Sequence, residues 1–574
     1  MRNALAGLLL VPACCALSGS PVAPADEESP PDHLLLYQDI LDEANIRQLM
    51  DLAKGESDKK NWEKALGFYE QLQARYGDTL CPSDGDRRLY QRLDDWIRRQ
   101  ILALPAEVLA RYRLRLDPEA RRLLDQALRE ADPAPAAQAL ARYGVSSLGR
   151  RAAELLGDLR QERGELGAAA AAWETAVLDT TLGGEVTPTA LGKLALARAC
   201  QGRGGEALAL ASKLAPSKRL QIGGEALEAS AWGPWLGTLA PKASDRAEQA
   251  WPEMGGSSER LSVSKRVPWI EKAWGWRLPP AFFSKPSQQQ GQGMHRLPVC
   301  FHAAASDGLF AISNGDTLFL VDAKGRPGAI QGKQPLQPSR VATPQMGWIN
   351  TLRPFAVTIA DGMAIANLTS RKPAAPPAGL MGRFGGIQVP RCELLAVDLA
   401  TSKLRWQFPP TAPSDPQETS QLDVRTAPVV CGDTLVAACT RQGTSIEVWL
   451  VALGLSDGKL RWKRFLCASP FSQDMILAEP ALAADGRLVY CLSQRGAVLA
   501  VEAETGRACW AYRYAEAAQP EVAGVRRPGI RFAGRPFNGQ TSTPRPFSPP
   551  IVKGGMVYAL PADADRLLAL DANT

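Results

Sequence analysis

A chain of 574 residues, 45% hydrophobic and 22% charged, has the balance of ordinary globular protein with room for two or three domains, which excludes a disordered chain and a membrane bundle. Its 66 basic and 60 acidic residues leave a net charge of +6 that is spread widely, so nucleic acid is not an expected partner.

The first 25 residues read as an export signal. Arg2 supplies the positive start, residues 5–11 form a short apolar core, and Ala23-Pro-Ala25 offers a small-residue cleavage site before Asp26. That core is too short for a permanent membrane span, and no other stretch is long and apolar enough to make one. The expected location is the periplasm or cell envelope. Val11-Pro-Ala-Cys14 is a distant variant of a lipobox, so a lipid anchor at Cys14 is an alternative ending for the leader. With Cys14 and Cys15 in the leader, an odd number of the 11 cysteines remains, and none shows Cys-x-x-Cys spacing. Most lie in apolar strand patterns, which points to small buried hydrophobes rather than metal ligands; disulfides stay open in an oxidising compartment.

Residues 26–240 read as a helical domain, with apolar positions three and four apart. Asn61-Trp-Glu-Lys-Ala65-Leu-Gly-Phe-Tyr69-Glu-Gln-Leu72 resembles a tetratricopeptide (TPR) repeat. So does the stretch from Ala153 through Gly157 and Gly164 to Trp173, Ala176 and Val177, and, more weakly, that from Leu191 to Ala211. In such units small residues let paired helices approach and an aromatic fills the next gap. Generic antiparallel helices are the alternative. Asp132-Pro-Ala-Pro135 and Val186-Thr-Pro188 mark breaks between helices. Residues 241–297, with Gln288-Gln-Gln290, Trp269, Trp274 and Trp276, read as a linker into the next domain.

Beyond residue 297 strand signals recur, and one eleven-residue phrase organises them. It runs Ala396-Val-Asp-Leu-Ala-Thr-Ser-Lys-Leu-Arg-Trp406, then Ala452-Leu-Gly-Leu-Ser-Asp-Gly-Lys-Leu-Arg-Trp462, then Ala500-Val-Glu-Ala-Glu-Thr-Gly-Arg-Ala-Cys-Trp510. Ala569-Leu-Asp-Ala-Asn-Thr574 begins a fourth copy, and Val321-Asp-Ala-Lys-Gly325 is a degenerate one without tryptophan. Each phrase predicts a strand, a tight turn and a returning strand whose indole packs on the neighbouring unit. The expected structural anchors are Ala396, Asp398 and Trp406; Ala452, Gly458 and Trp462; Ala500, Gly506 and Trp510; and Ala569 with Asp571. A repeat of roughly fifty residues made of short strands is the period of a β-propeller blade.

This phrase resembles the pyrroloquinoline-quinone (PQQ) type repeat, roughly Ala-x-Asp-x-x-Thr-Gly-Lys-x-x-Trp. Trp251-Pro-Glu-Met-Gly-Gly-Ser-Ser-Glu-Arg260 resembles the opening that precedes such propellers. The resemblance implies a multidomain α-then-β chain. In it, a TPR-like domain would precede an incomplete PQQ-like β-propeller of four-stranded antiparallel blades over residues 298–574. Five blade-like units are visible where seven or eight are usual, so the natural protein is expected to be longer. The repeat occurs in quinoprotein dehydrogenases and in cofactor-free propellers similar to BamB.

Candidate catalytic groups are few. His33, His295 and His302 have no partner at i, i+4, which argues against a zinc site or a histidine triad. Gly454-Leu-Ser-Asp-Gly458-Lys459 is one residue short of a phosphate loop, and Asp563-Ala-Asp565 lacks the rest of a calcium loop. The dehydrogenase branch uses a vicinal cysteine pair, and the one adjacent pair here is Cys14-Cys15. No catalytic, cofactor-binding or metal residue is therefore assigned, and no cofactor is expected. The reading is an exported, non-enzymatic interaction or scaffold protein with protein partners. A PQQ-dependent oxidoreductase, or a carbohydrate-binding or sensory module using Trp269 and Trp276, are the alternatives.

Overall fold

The computed structural model describes residues 35–36, 40–86, 88–200, 203–214, 219–222, 225–239, 253–260, 300–306, 309–313, 318–322, 354–369, 392–410, 419, 422–424, 426–442, 445–470, 479–514, 548–562, 564 and 566–572. The leader, Trp251, Trp269, Trp274, Trp276, His33, His295, Asp563 and Asp565 lie outside the described residues, as does most of the linker.

In chain order the N-terminal region comprises β1 (Leu35–Leu36), α1 (Ile40–Asp58), α2 (Trp62–Tyr76), β2 (Leu80–Pro82), β3 (Leu89–Arg92), α3 (Leu93–Leu102), α4 (Ala106–Glu130), α5 (Pro133–Tyr143), α6 (Gly149–Glu162), α7 (Leu166–Leu178), α8 (Pro188–Cys200), α9 (Gly204–Ala211), β4 (Arg219–Ile222), β5 (Glu225–Glu228) and α10 (Ala229–Leu239). Helix α4 buries Tyr112, Leu116, Ala120, Leu123, Leu124 and Ala127, the three-and-four spacing of one apolar stripe. Both proline signals start helices. Asp132 caps α5 by accepting a hydrogen bond from the Ala134 N–H at 3.3 Å, and the Thr187 hydroxyl accepts from the Ala190 N–H at 3.0 Å at the head of α8.

Consecutive helices pack on one another, and α6 with α7 form the tightest pair. At Gly157 a β-carbon would lie 2.4 Å from the Trp173 indole nitrogen, so glycine is the residue that lets α7 come this close. The indole N–H then donates to Asp158 at 3.0 Å, while Lys193 of α8 reaches Glu154 and Asp158 at 3.1 and 2.7 Å.

The region expected to be wholly helical also contains five short strands, β1 to β5. The hairpin β2–β3 is the informative correction. Its turn, Pro82-Ser-Asp-Gly85, carries turn residues between two short apolar runs.

From residue 300 on, the described regular elements are strands. β6 (Cys300–His302) pairs in parallel with β10, and β7 (Ala304–Ser306), β8 (Leu309–Ser313) and β9 (Leu318–Asp322) form an antiparallel sheet. The next antiparallel sheet contains β10 (Pro354–Ala360), β11 (Met363–Thr369), β12 (Cys392–Asp398) and β13 (Leu404–Phe408). Then come β14 (Asp423–Val424), β15 (Val429–Cys431), β16 (Thr434–Gln442), β17 (Ser445–Gly454) and β18 (Leu460–Pro470). A fourth sheet has β19 (Ala481–Ala484), β20 (Leu488–Leu492), β21 (Ala497–Glu502) and β22 (Ala508–Arg513). The last has β23 (Ile551–Lys553), β24 (Met556–Ala559) and β25 (Leu568–Asp571).

The apolar clusters lie between sheets that follow one another in sequence. One joins β11 to β13 with β16 and β17, another joins β15 to β18 with β19 to β22, and a third joins β19 to β22 with β23 to β25. Strands with both faces covered read as continuous apolar runs, as in β20 and β21, whose residues are buried with the exception of Glu502.

Candidate functional site

Two kinds of joint hold this chain together. The first repeats. In each complete phrase the alanine faces its tryptophan directly across the hairpin: Ala396 opposite Trp406, Ala452 opposite Trp462, Ala500 opposite Trp510. The smallest side chain thus sits beside the largest, and the register shifts immediately after the alanine in all three copies.

Each indole then reaches the following sheet. The Trp406 N–H donates to the Leu455 carbonyl at 3.0 Å, Trp462 to Ala503 at 3.0 Å and Trp510 to Ala572 at 2.9 Å. All three acceptors stand three residues after the alanine of the next phrase. Under two of these rings lies the turn glycine. A β-carbon on Gly458 would approach the Trp406 ring to 2.6 Å, and one on Gly506 would approach Trp462 to 2.6 Å. Both glycines are left-handed, with φ of 66° and 70°, and each N–H bonds the carbonyl four residues back at 2.8 Å. Ser402 fills the same place in the first copy at φ 56°, with the same bond from its N–H to the Asp398 carbonyl. Gly454 to Lys459 is the same hairpin turn, not a phosphate loop.

Asp398 organises its own turn. It accepts from the Thr401 backbone N–H at 2.7 Å and hydroxyl at 2.8 Å, and from Arg405 at 2.9 Å. The Thr401 hydroxyl first, then its N–H and Arg405, push the carboxyl down to about 2. Ala569 and Asp571 lie on β25, opposite Tyr558 and Met556.

The second joint is made once and links helices to sheets. Strand β3 pairs antiparallel with β22, Tyr90 opposite Ala511, so the hairpin β2–β3 extends that sheet to six strands; β1 pairs likewise with β18. Beside the seam, Asp94, only 3% exposed, accepts from Arg92 at 2.7 Å, Arg98 at 2.8 Å and Arg507 at 2.8 Å. Burial pushes its carboxyl up, but the three guanidinium groups outweigh that and hold it well below the usual carboxylate range. Arg92 also reaches Glu502 at 3.2 Å, and Asp78 accepts from Arg507 and Arg464. Further along, Arg203 donates to the Asp485 carbonyl at 3.3 Å and Gly167 packs near Asp433. None of these joint residues is singled out by the repeat phrase, except that Glu502 and Arg507 fall within it.

Other chemistry-bearing groups have structural surroundings. Cys81, Cys392, Cys431, Cys439, Cys467 and Cys491 are buried thiols, Cys509 is half-buried and Cys200 exposed. Burial pushes Cys81 and Cys509 up to about 12, and Cys431, Cys439 and Cys491 higher still, which keeps them protonated at neutral pH. Among the described residues no group of three or more His, Cys, Asp and Glu side chains is placed to hold a metal ion, and no helix is long and apolar enough to cross a membrane.

Residues 367–512 and 449–574 match the PQQ-like family model described as outer membrane protein assembly factor BamB. No curated protein matches the chain. Among solved structures, the quinohemoprotein alcohol dehydrogenase from Comamonas testosteroni is 14% identical, with 47% of this chain and 42% of that one covered at a TM-score of 0.29. A europium-containing methanol dehydrogenase is 13% identical over 37% of this chain and 41% of that one, TM-score 0.24. BamB from Moraxella catarrhalis is 12% identical over 46% and 78%, TM-score 0.16. The chain thus spans less than half of either dehydrogenase. The sheet-forming residues from 367 to 574 are thus similar to PQQ-like repeats.

Proposed function

We propose that this is an exported, non-enzymatic scaffold of the cell envelope. It would consist of a TPR-like helical layer and a PQQ-like β-propeller that together present loops and helix faces to protein partners. The observation that carries the reading is the helix–sheet joint: strand pairing at β3–β22 and the arginines around Asp94 join the helices and the sheets into one continuous body. Repeat arrays of both kinds bind proteins through concave faces and variable loops. Several acidic groups are engaged in holding the fold. Asp398 holds a turn, Asp485 accepts from two backbone N–H groups and the Tyr490 hydroxyl, and Asp423 accepts from the Cys392 N–H. Similarity to BamB supports an envelope location and protein partners.

The rival reading, a PQQ-dependent oxidoreductase, draws on the same family likeness. The adjacent cysteines fall outside the described residues. Two measurements separate the readings. Reciprocal affinity capture of the exported protein is expected to return the same identified partner from both directions. Dye reduction with alcohols or sugars in the presence of PQQ and calcium is expected to stay at background. Saturable turnover would reverse the ranking.

A further inference from the structure

The short segment 253–260, which the sequence places in a connector, is buried among the sheets. It touches one strand in each of four sheets in succession. Met254 packs with Ala356 of β10 and with Ala427. The Ser258 hydroxyl donates to the Val430 carbonyl of β15 at 3.0 Å, and its own carbonyl accepts from the Ala484 N–H of β19 at 2.8 Å. The Glu259 carbonyl accepts from the Val552 N–H of β23 at 3.1 Å.

Arg260 fills the middle of this arrangement, 5% exposed. It donates to the Leu482 carbonyl at 3.1 Å, the Pro428 carbonyl at 3.4 Å, the Met254 carbonyl at 2.6 Å and the Glu253 carboxylate at 3.2 Å. Pro428 accepts at the same oxygen from the Thr358 hydroxyl of β10, 3.3 Å away. A guanidinium suits this place because its planar fork of donors can satisfy carbonyls from several directions at once. Glu253, itself 5% exposed and bonded by Ser258 at 2.8 Å, supplies the balancing charge. The two glycines make the loop tight enough. Gly255 and Gly256 have φ of 77° and 80°, and a β-carbon on Gly255 would come within 2.8 Å of the Arg260 α-carbon.

We propose that segment 253–260 is an internal clasp: Arg260 and its loop occupy the space where β10, β15, β19 and β23 of four successive sheets meet, hold those strands together, and take the place a small-molecule ligand would need there. The exclusion of a ligand rests on the non-enzymatic reading above; the clasp itself rests on the contacts alone. Arg260 is thus a positioning residue for the whole sheet assembly, and the connector belongs structurally to the sheets it precedes.

The test is amide hydrogen exchange on the full-length chain, wild type against Arg260→Ala. Peptides carrying residues 428–431, 481–484 and 551–553 are expected to exchange about tenfold faster or more in the variant, with α6 to α9 unchanged. Faster exchange confined to 253–260 would overturn the clasp. Should Arg260→Ala fail to fold, Ser258→Ala removes one hydroxyl and is expected to give the same pattern at smaller amplitude. In the wild type, PQQ with calcium is expected to leave the pattern unaltered. Slowed exchange at 428–431 and 481–484 with release of 253–260 would show a cofactor displacing the clasp and overturn the exclusion. Dye-reducing turnover with the clasp pattern intact would sink the non-enzymatic reading and leave the clasp standing.

Discussion

The joints between sheets and the joint between helices and sheets solve one problem with opposite chemistry. Sheet meets sheet through an indole whose N–H reaches one carbonyl of the next sheet, three times over. Helix meets sheet at a polar cluster in which Asp94 gathers three arginines beside a strand seam. The wedge gains from apolar burial and needs only local sequence to be encoded. The polar cluster gains little net energy once desolvation is counted, but it is costly to break on one side only. The wedges therefore stack a chain of like units, while the ion cluster fixes one orientation between unlike ones.

The largest effect is expected at the wedges. Trp510, 1% exposed, loses its contacts with both sheets on truncation, so Trp510→Ala is expected to cost about 3–5 kcal/mol in urea unfolding followed by fluorescence. Trp462 is partly exposed and its truncation is expected to cost less. Equal losses at the two sites would break the idea that burial between sheets sets the strength of the wedge.

Asp94→Ala comes next. It leaves three guanidinium groups facing one another in a buried seam, and the expected cost is about 3 kcal/mol, concentrated at β3 and β22 in hydrogen exchange. The pH dependence follows from the depressed carboxyl. Its contribution is complete above the unfolded value near pH 4 and is lost as pH falls below that toward the folded value. Thermal midpoints of the wild type are expected to drop below pH 4 more steeply than those of Asp94→Asn. Parallel profiles would remove Asp94 from the joint.

How much of this was written in the sequence differs between the joints for a physical reason. The phrase showed alanine, turn and tryptophan because all three lie within eleven residues and recur; the carbonyl acceptors went unseen because backbone atoms leave no side-chain signature. The helical stripes and both proline starts were readable from periodicity. The ion cluster was not, since Asp94 and Arg507 stand 413 residues apart and appear once. The hairpin β2–β3 left a faint cue in Pro82-Ser-Asp-Gly85, overridden by the helical pattern on both sides. Segment 253–260 read as a connector because its glycines and serines are turn-formers, yet those same residues let it fold tightly enough to be buried.

The finest prediction concerns the turn position under the wedge, where two costs can be told apart. Gly458→Ala incurs both a left-handed backbone, φ 66°, and a collision with the Trp406 ring, and is expected to cost about 2–3 kcal/mol. In a Trp406→Ala background the collision disappears, and the same substitution is expected to cost only the backbone strain, about 1 kcal/mol. Ser402 already tolerates φ 56°, so Ser402→Gly is expected to change stability by less than about 1 kcal/mol, relieving the strain but loosening the unfolded chain. A double-mutant cycle on Gly458 and Trp406 reads the difference directly. If the cost at Gly458 were the same with and without the tryptophan, backbone geometry alone would explain the glycine, and the turn would no longer report where a wedge lands.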